Sequence, residues 1–331
     1  MNIARTLSKS EALADYCVGL TLDRVPAEVK QKAALCILDT VGCMVAGSAS
    51  RVGQIVTAHA LEWGKAGPCT VFGRSTGVDV ESAALANGTL GHVLELDDGH
   101  RPSDNHLGCV VVSSAIAAAE HTGATGADLL KAVIVGYDVM GRAGQAVCLP
   151  RRDAPFHGTG TTGGFGSAAT AGVLIGLSEQ QLANAFGIAG TGGAGLREVT
   201  VSGADCKSFQ VGRATMNGVN AAILAQAGLE GPMEIFEGQY GFAKAMTTQP
   251  RPELVAAELG TRFAVMDSAF KIHAVCGLIF TAIDAAIALR QEHSLKPEQI
   301  AKIRVALPRR IRNDAVFTRR RPASVGAARF S

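Results

Sequence analysis

Acidic and imidazole side chains are concentrated in two segments near the middle of the chain. The first segment, LELDDGHRPSDNHLG, carries Glu95, Asp97, Asp98, His100 and His106, and the second, APFHGTGTTGGFG, carries His157. Only 18% of the residues are charged, so a grouping of this kind is typical of an enzyme's site rather than of a solvated surface. Imidazole changes its charge near neutral pH, which suits it to proton transfer.

Other roles for the first segment are open from the residues alone. Asp98 could cap the turn that follows it, and His100 could lie in solvent. Carboxylates and imidazoles could also hold a hard metal ion. However, the chain has no H-E-x-x-H pair, and the adjacent Asp97 and Asp98 should point in different directions. We therefore predict no metal site. His106 is harder to assign to the surface, because it precedes an apolar helix whose first N–H groups favour anions.

Basic residues in two later segments could bind anions. Lys207 and Arg213 lie in SGADCKSFQVGRATMNG, and Lys271 and His273 lie in SAFKIHAVCG. Each of them could be an ordinary surface residue when taken alone. Their neighbours are mostly small or apolar, which favours a cleft in which these cations hold carboxylates.

Helices must position most of these side chains. Pro26 suits the first turn of a helix over 25–47, in which apolar residues recur at helical spacing. The pattern predicts further helices over about 81–94, 109–122, 126–147, 161–175, 179–190 and 212–227. Many of the 39 glycines lie inside Ala-rich stretches, where they should allow close helix packing. We therefore predict a mostly α protein with a large all-helical domain over residues 1–262.

The pattern changes after residue 262. Phe263 to Met266 could form a strand, Ile279 to Glu292 a helix, and Ile300 to Leu307 alternates in the manner of a strand. This order predicts the start of a smaller α/β lid domain over residues 263–331. Too little chain follows to complete a sheet and cover its faces, so we expect this domain to be truncated.

Composition argues against several classes of protein. The net charge of +2 does not favour nucleic-acid binding, and the basic residues are not interleaved with aromatic ones. We find no secretion signal, and no apolar run reaches the roughly 18 residues of a membrane span. These features predict a cytoplasmic protein that binds neither nucleic acid nor membrane.

Cofactor motifs are absent or lack the right context. The eight cysteines include no C-x-x-C pair, so neither a zinc ribbon nor an iron–sulfur cluster is indicated. Two G-x-G-x-x-G matches begin at Gly158 and Gly190. A dinucleotide site needs a strand directly before such a motif and an acidic residue about 20 residues later. Neither match has this context, so we predict no cofactor.

Several phrases of the sequence resemble the MmgE/PrpD family, in order and at compatible spacings from about residue 10 to the end. They are ALANGTLGHVLELDDGH, NHLGCVVVSSAIAAAEHTGATGADLLKAVIVGYDV, FHGTGTTGGFGSAATAGVLIGLSEQQLANAFGIAG, CKSFQVGRATMNGVNAAILAQAGLEGP and FKIHAVCGLIFTAIDAA. The family includes 2-methylcitrate dehydratase, cis-aconitate decarboxylase and iminodisuccinate epimerase. The resemblance implies a helical domain with an α/β lid, a homodimer, and chemistry without a metal ion or an iron–sulfur cluster.

The resemblance also assigns site residues. The family's acidic motif falls on Glu95, Asp97 and Asp98, its two histidines on His106 and His157, and its two lysines on Lys207 and Lys271. His273 matches a position where histidine is one accepted choice. The sequence departs from the family pattern at four positions: Gly99 for Thr or Ser, Leu107 and Ile272 for Pro, and Phe280 for His.

These assignments lead to a prediction of function. We expect a metal-independent lyase that acts on a tri- or dicarboxylate by proton transfer at a carbon next to a carboxylate. Lys207 and Lys271 would hold carboxylates and developing charge, while His106 and His157 would share the base and acid roles. Asp97 or Asp98 would orient a histidine or bind a substrate hydroxyl. The remaining substrate-binding candidates are Glu95, Arg213 and His273.

Two alternatives stay open. The same proton abstraction would serve an epimerase of an iminodisuccinate-like dicarboxylate. The chain could also be a truncated, inactive relative, since RRRPASVGAARFS resembles the beginning of a segment that returns to the helical domain. In that case the chain is a fragment, or a partner chain supplies the rest.

Overall fold

Helices form most of the chain in the computed structural model, which describes residues 7–148 and 155–306. The mostly α prediction is therefore confirmed. The α-helices of the described part are α1 (Lys9–Gly19), α2 (Ala27–Ser48), α3 (Arg51–Trp63), α4 (Val80–His92), α5 (Gly108–Thr122), α6 (Gly126–Val147), α7 (Gly158–Leu174), α8 (Glu179–Thr191), α9 (Glu198–Ser202), α10 (Lys207–Gln226), α11 (Phe242–Met246) and α12 (Phe280–His293).

Shorter elements connect these helices. Short 3-10 helices span Leu22–Arg24, Arg101–Ser103, Pro252–Ala256, Ala264–Asp267, Gly277–Ile279 and Pro297–Gln299. The strands are β1 (Ala66–Cys69), β2 (Gly99–His100) and β3 (Ser268–Ala269). Strands β2 and β3 pair in antiparallel fashion, with Gly99 opposite Ala269 and His100 opposite Ser268. This small sheet ties the segment after the acidic motif to the segment before Lys271.

Local sequence explains where several helices begin. Thr125 and Asp128 form a reciprocal capping box at the start of α6, and Ser178 and Gln181 do so at the start of α8. These side chains satisfy N–H groups that have no partner within the helix. All seven predicted helices are confirmed. The largest difference is in α10, which begins at Lys207 rather than at residue 212.

Glycines allow α4 and α10 to cross closely. A Cβ at Gly212 would lie 2.2 Å from the carbonyl oxygen of Leu85, and a Cβ at Gly88 would lie 3.0 Å from the Cα of Gly212. The predicted role of these glycines in packing is confirmed at this crossing. Because the two backbones touch, the last residue of α4, His92, reaches the first residue of α10, Lys207.

The predicted strand over Phe263 to Met266 is wrong. Residues Ala264–Asp267 form a 3-10 helix. The N–H of Met266 donates to the carbonyl of Phe263 over 3.1 Å, and the N–H of Ala264 donates to the buried Asp138 carboxylate on α6 over 2.6 Å. These backbone groups are satisfied locally and by a side chain, so no neighbouring strand is needed.

The lid domain stays a prediction, and of the later elements predicted within it only the helix forms among the described residues. Helix α12 forms where a helix was predicted, but within the described chain it buries none of its residues. Residues 301–306 form no regular element, although a strand was predicted from Ile300 to Leu307. A strand needs a paired neighbour, and the side chains of Ile303 and Val305 are mostly exposed. Residue 307 and the rest of the predicted lid lie outside the described residues.

Helix length and hydropathy were also compared with what a membrane span requires. In the described part of the chain, no single helix is both long enough and apolar enough. Helices α2 and α3, which meet at 90°, reach these values only when they are counted together.

Candidate active site

The C-terminus of α4 and the N-termini of α5, α7 and α10 meet in the core and bring three histidines and a lysine together. His92 ends α4, His106 lies two residues before α5, His157 immediately precedes α7, and Lys207 begins α10. The ring centroids of His92 and His106 are 4.8 Å apart, and those of His92 and His157 are 5.6 Å apart. Three imidazoles therefore form one cluster, which we call the histidine cluster.

Glu95 lies between two lysines at the edge of this cluster. The Lys207 ammonium donates to the Glu95 carboxylate. The Lys271 ammonium donates to the Glu95 backbone carbonyl over 2.8 Å and lies 3.7 Å from the carboxylate. Burial raises the pKa of Glu95, but the two ammonium groups and His92 outweigh it and hold that pKa well below its usual range. Glu95 is therefore a buried anion that contacts the ammonium groups of both lysines.

Asp97 and Lys207 bind opposite nitrogens of His92. Nδ1 of His92 lies 2.8 Å from the Asp97 carboxylate, and Nε2 contacts the Lys207 ammonium. A carboxylate only accepts hydrogen bonds and an ammonium only donates them. Nε2 also lies 3.4 Å from the Glu95 carboxylate, but its contact with the ammonium is shorter, so in the neutral form of His92 the proton is on Nδ1. Burial raises the pKa of Asp97, but the contacts with His92 and His106 lower it by more than burial raises it. The pKa is therefore below its usual range, and Asp97 stays ionised.

His106 is held as a neutral base. Its Nδ1 lies 2.8 Å from the carbonyl oxygen of Asp98 and 3.4 Å from the Asp97 carboxylate. Both partners accept, so Nδ1 carries the proton and Nε2 keeps its lone pair. Burial and the nearby Lys271 lower the pKa of His106 to about 3, although Asp97 acts in the opposite direction.

A glutamine defines the tautomer of His157. Gln210 on α10 donates its amide to the carbonyl of Leu196 over 3.0 Å, which turns its oxygen toward His157 Nδ1, also at 3.0 Å. Nδ1 of His157 must therefore donate, and Nε2 is unprotonated. Among residues 7–148 and 155–306, no group hydrogen-bonds this buried Nε2. Burial and the charge of Lys207 hold the pKa of His157 well below its usual range.

Asp98 points away from the cluster, as expected for the neighbour of Asp97. Its carboxylate accepts from the N–H of Gly108 at the start of α5 over 2.9 Å and from the hydroxyl of Tyr137 over 3.1 Å. Burial raises the pKa of Asp98 to about 6. Its side chain thus holds the first turn of α5, while its backbone carbonyl orients His106. The local cap considered for Asp98 is not what forms: its carboxylate binds the N–H of Gly108, ten residues later, rather than the turn that directly follows it.

Three other candidates lie outside the histidine cluster. The solvent position considered for His100 is wrong, since it is buried and its Nδ1 lies 2.7 Å from the Ser103 hydroxyl. Arg213 donates to the carbonyls of Gly192 and Ala194, so it supports the loop after α8. The Nε2 of His273 lies 2.8 Å from the Asp284 carboxylate on α12. Substrate binding by Arg213 and His273 stays a prediction.

The sequence analysis missed His92 and Gln210. A single histidine at the end of the apolar helix α4 has the pattern of a core residue, and only its spacing of three from Glu95 hints at a shared site. Gln210 has no sequence signal, because its role depends on where the loop around Leu196 packs.

A metal ion is the remaining chemical possibility for part of the cluster. Ligand atoms of His92, Asp97 and His106 lie within 4.8 Å of one another. However, the Nδ1 atoms of both histidines face hydrogen-bond acceptors, and Lys207 occupies the Nε2 side of His92. Adjacent ammonium groups also repel a cation. The donor set therefore fits a proton-transfer site better than a metal site.

Comparison with known proteins identifies a family and several relatives of this chain. The model of the MmgE/PrpD N-terminal domain matches residues 11–255. A cis-aconitate decarboxylase of Aspergillus terreus (strain NIH 2624 / FGSC A1156) is 28% identical over 302 residues, which are 86% of this chain and 61% of the relative. Human cis-aconitate decarboxylase is 30% identical over 339 residues, 98% of this chain and 68% of the relative. The cis-aconitate decarboxylase-like protein oryM of Aspergillus oryzae (strain ATCC 42149 / RIB 40) is 28% identical over 85% of this chain and 61% of its own.

The chain thus spans about three fifths of the length of the fungal relatives that it matches. The family match covers His92, His106, His157 and Lys207, whereas Lys271 lies beyond it. The chain belongs to the MmgE/PrpD family.

Proposed function

We propose that the chain provides the active site of a metal-independent lyase that acts on a tri- or dicarboxylate. The reaction would resemble that of 2-methylcitrate dehydratase or cis-aconitate decarboxylase. One observation carries the proposal: His106 and His157 offer unprotonated Nε2 atoms beside the ammonium groups of Lys207 and Lys271. The relatives named cis-aconitate decarboxylase support the substrate class.

Helix termini and lysines suit this site to polyanions. Helices α5, α7 and α10 all begin beside the cluster, and the N-terminus of a helix attracts negative charge. Each lysine already contacts Glu95, so the cations are held in place before a substrate arrives. A substrate with two or three carboxylates could engage the lysines and the helix termini at the same time.

The depressed pKa values of His106 and His157 keep both imidazoles uncharged at neutral pH, so either one can begin catalysis as a base. A neutral imidazole can take a proton from the carbon next to a carboxylate, and nearby ammonium groups stabilise the resulting charge. A bound polyanion also raises the pKa of neighbouring imidazoles. In a dehydration, the histidine can return the abstracted proton to the leaving hydroxide, which departs as water. A decarboxylation needs no abstraction: loss of carbon dioxide leaves the electron pair on the substrate, and a histidine that has taken a proton from solvent in the bound state donates it to that carbanion.

A proton NMR time course in D₂O with EDTA tests the proposal. The substrates are 2-methylcitrate, citrate, cis-aconitate and an iminodisuccinate mixture. We expect an alkene product from a hydroxy acid, or release of carbon dioxide from cis-aconitate, at a rate unaffected by the chelator. Deuterium exchange without either product would favour the epimerase. Loss of turnover with EDTA would refute metal independence.

A matched control separates chemistry from contamination. His106→Ala, purified in parallel, should lose the signal, whereas His121→Asn on the exposed surface of α5 should keep it. A folded wild-type chain that changes none of the substrates would refute the lyase proposal and favour an inactive relative.

The expected homodimer and cytoplasmic location stay predictions. Light scattering on the purified chain tests the first, and a mass near twice 34.1 kDa would support it. Cell fractionation tests the second.

A further inference from the structure

His92 differs from the other two histidines in that protein groups bind both of its ring nitrogens. Nδ1 faces Asp97 and Nε2 faces Lys207, and only 1% of the residue is exposed. The Nε2 atoms of His106 and His157, in contrast, have no hydrogen-bond partner within the described residues. While both contacts persist, His92 has no nitrogen with which to exchange a proton with a substrate.

The two contacts of His92 reinforce each other. With the proton on Nδ1, the ring donates to a carboxylate and accepts from an ammonium. The opposite tautomer would turn an N–H toward the ammonium and a lone pair toward the carboxylate, and both contacts would be repulsive. The negative charge of Asp97 therefore makes Nε2 a stronger acceptor for Lys207, as a carboxylate does behind a metal-bound histidine.

Lys207 needs such support. A lysine side chain has four rotatable bonds and a compact charge, and it loses considerable entropy when it is fixed. Glu95 alone would draw the ammonium toward its own carboxylate. His92 contacts the same ammonium from the end of α4, so the nitrogen is fixed between two rigid helices.

We propose that His92 is a positioning residue that, backed by Asp97, fixes the Lys207 ammonium beside His106 and His157. The expected effect of His92 on turnover rests on the proposed function, in which Lys207 stabilises the charge that develops on the substrate. His92 acts through Lys207 and does not exchange a proton with the substrate.

Two substitutions separate the two contacts. The amide nitrogen of His92→Asn lies near the position of Nδ1 and can still donate to Asp97, but the shorter side chain offers Lys207 no acceptor at the position of Nε2. Of its contacts with His92 and Glu95, the ammonium then keeps only the one with Glu95. The amide oxygen of His92→Gln reaches the position of Nε2 and can still accept from Lys207. We expect kcat to fall roughly 10- to 100-fold in His92→Asn, with a smaller change in KM. His92→Gln should recover a large part of the loss.

A double-mutant cycle then tests whether His92 acts through Lys207. Lys207→Met should lower kcat more than His92→Asn does, and adding His92→Asn to Lys207→Met should cause little further loss. Additive losses would overturn the positioning role, and so would equal losses in the Asn and Gln variants. His121→Asn is the matched control. Far-UV circular dichroism and thermal unfolding confirm that each variant is folded.

Nitrogen-15 NMR of histidine-labelled protein tests the contact without turnover. His92, assigned from the signal that His92→Asn loses, should show a protonated Nδ1 and an unprotonated Nε2. Lys207→Met should shift the Nε2 signal because its donor is lost. Unchanged shifts in Lys207→Met would overturn the contact and the proposal with it. A wild-type chain that showed these shifts but no activity would refute the lyase proposal and the effect of His92 on turnover. The contact between His92 and Lys207 would still hold.

Discussion

The helical part of the site and the segment after residue 263 differ in how they hold their functional groups. His92, Asp97 and Lys207 are buried, and His92 contacts both Asp97 and Lys207. In the described segment after residue 263, Lys271 reaches Glu95 at the edge of the cluster from a loop next to the two-residue strand β3. The next residue, Ile272, is 72% exposed.

The difference indicates which part of the site is preformed. In the helical part, Glu95, Asp97 and Lys207 are charged and bind buried partners, so removing one of them leaves another without compensation. In residues 264–306 most side chains are exposed, and a substitution there removes fewer contacts. Variants in the first part should therefore have large effects on activity and stability, and variants in the second part smaller ones.

The largest effect should come from His106 and His157, whose Nε2 atoms bind no group among the described residues. His106→Ala and His157→Ala should each lower turnover by roughly 10²- to 10⁴-fold, because a positioned general acid or base contributes about that much. Helicity should be unchanged, since neither side chain is part of a helix cap. Steady-state rates and far-UV circular dichroism measure both quantities. Near wild-type rates in both variants would contradict the assignment.

The two lysines allow a direct comparison of the two regions. Lys207→Met should cost about 3 kcal/mol or more of unfolding free energy, because it weakens the compensation of the buried Glu95 carboxylate. Lys271→Met should cost about 1 kcal/mol, close to the value of one hydrogen bond, because its shorter contact is with a backbone carbonyl.

Urea unfolding of both variants at pH 7 measures these costs. Glu95→Gln combined with Lys207→Met is the control, since it removes the uncompensated charge and should recover part of the loss. Equal losses of unfolding free energy in Lys207→Met and Lys271→Met would contradict the expected difference between the two regions.

Asp98 should affect the pH dependence of stability. Its pKa rises from 3.8 to about 6 on burial, so the native state keeps a proton that the unfolded chain releases earlier. Through this group, stability is greatest below about pH 4 and falls as the pH rises to about 6. Asp98→Asn does not titrate and keeps an acceptor for the N–H of Gly108. Relative to wild type, it should gain roughly 2 kcal/mol between pH 4 and pH 7. A flat difference across this range would contradict the raised pKa.

The sequence predicted the helical part well because its signals are local. Apolar spacing defined α2, α4 and α6, and capping residues such as Thr125 and Ser178 begin helices where expected. Several of the residues that meet at the site could be named, because they lie next to these helices or match the family pattern, but His92 and Gln210 were missed.

The interactions among these residues could not be predicted. The role of His92 depends on how closely α4 and α10 cross, and that of Gln210 on the loop around Leu196. The strand predicted at Phe263 was wrong because Asp138, more than a hundred positions earlier, satisfies a backbone N–H there. Such contacts depend on tertiary packing and leave no periodic pattern in the sequence.

The smallest effect should come from the exposed helix α12. Leu289 on α12 is 51% exposed, whereas Leu90 on α4 is fully buried. Leu289→Ala should change the unfolding free energy by no more than about 0.5 kcal/mol, as is usual for surface positions. Leu90→Ala is the matched substitution and should cost roughly 2 to 5 kcal/mol, because it leaves a cavity in the core. Urea unfolding measures both. A cost above about 1.5 kcal/mol for Leu289→Ala would show that α12 packs against another surface in solution, and the contrast between the two regions would not hold for this helix.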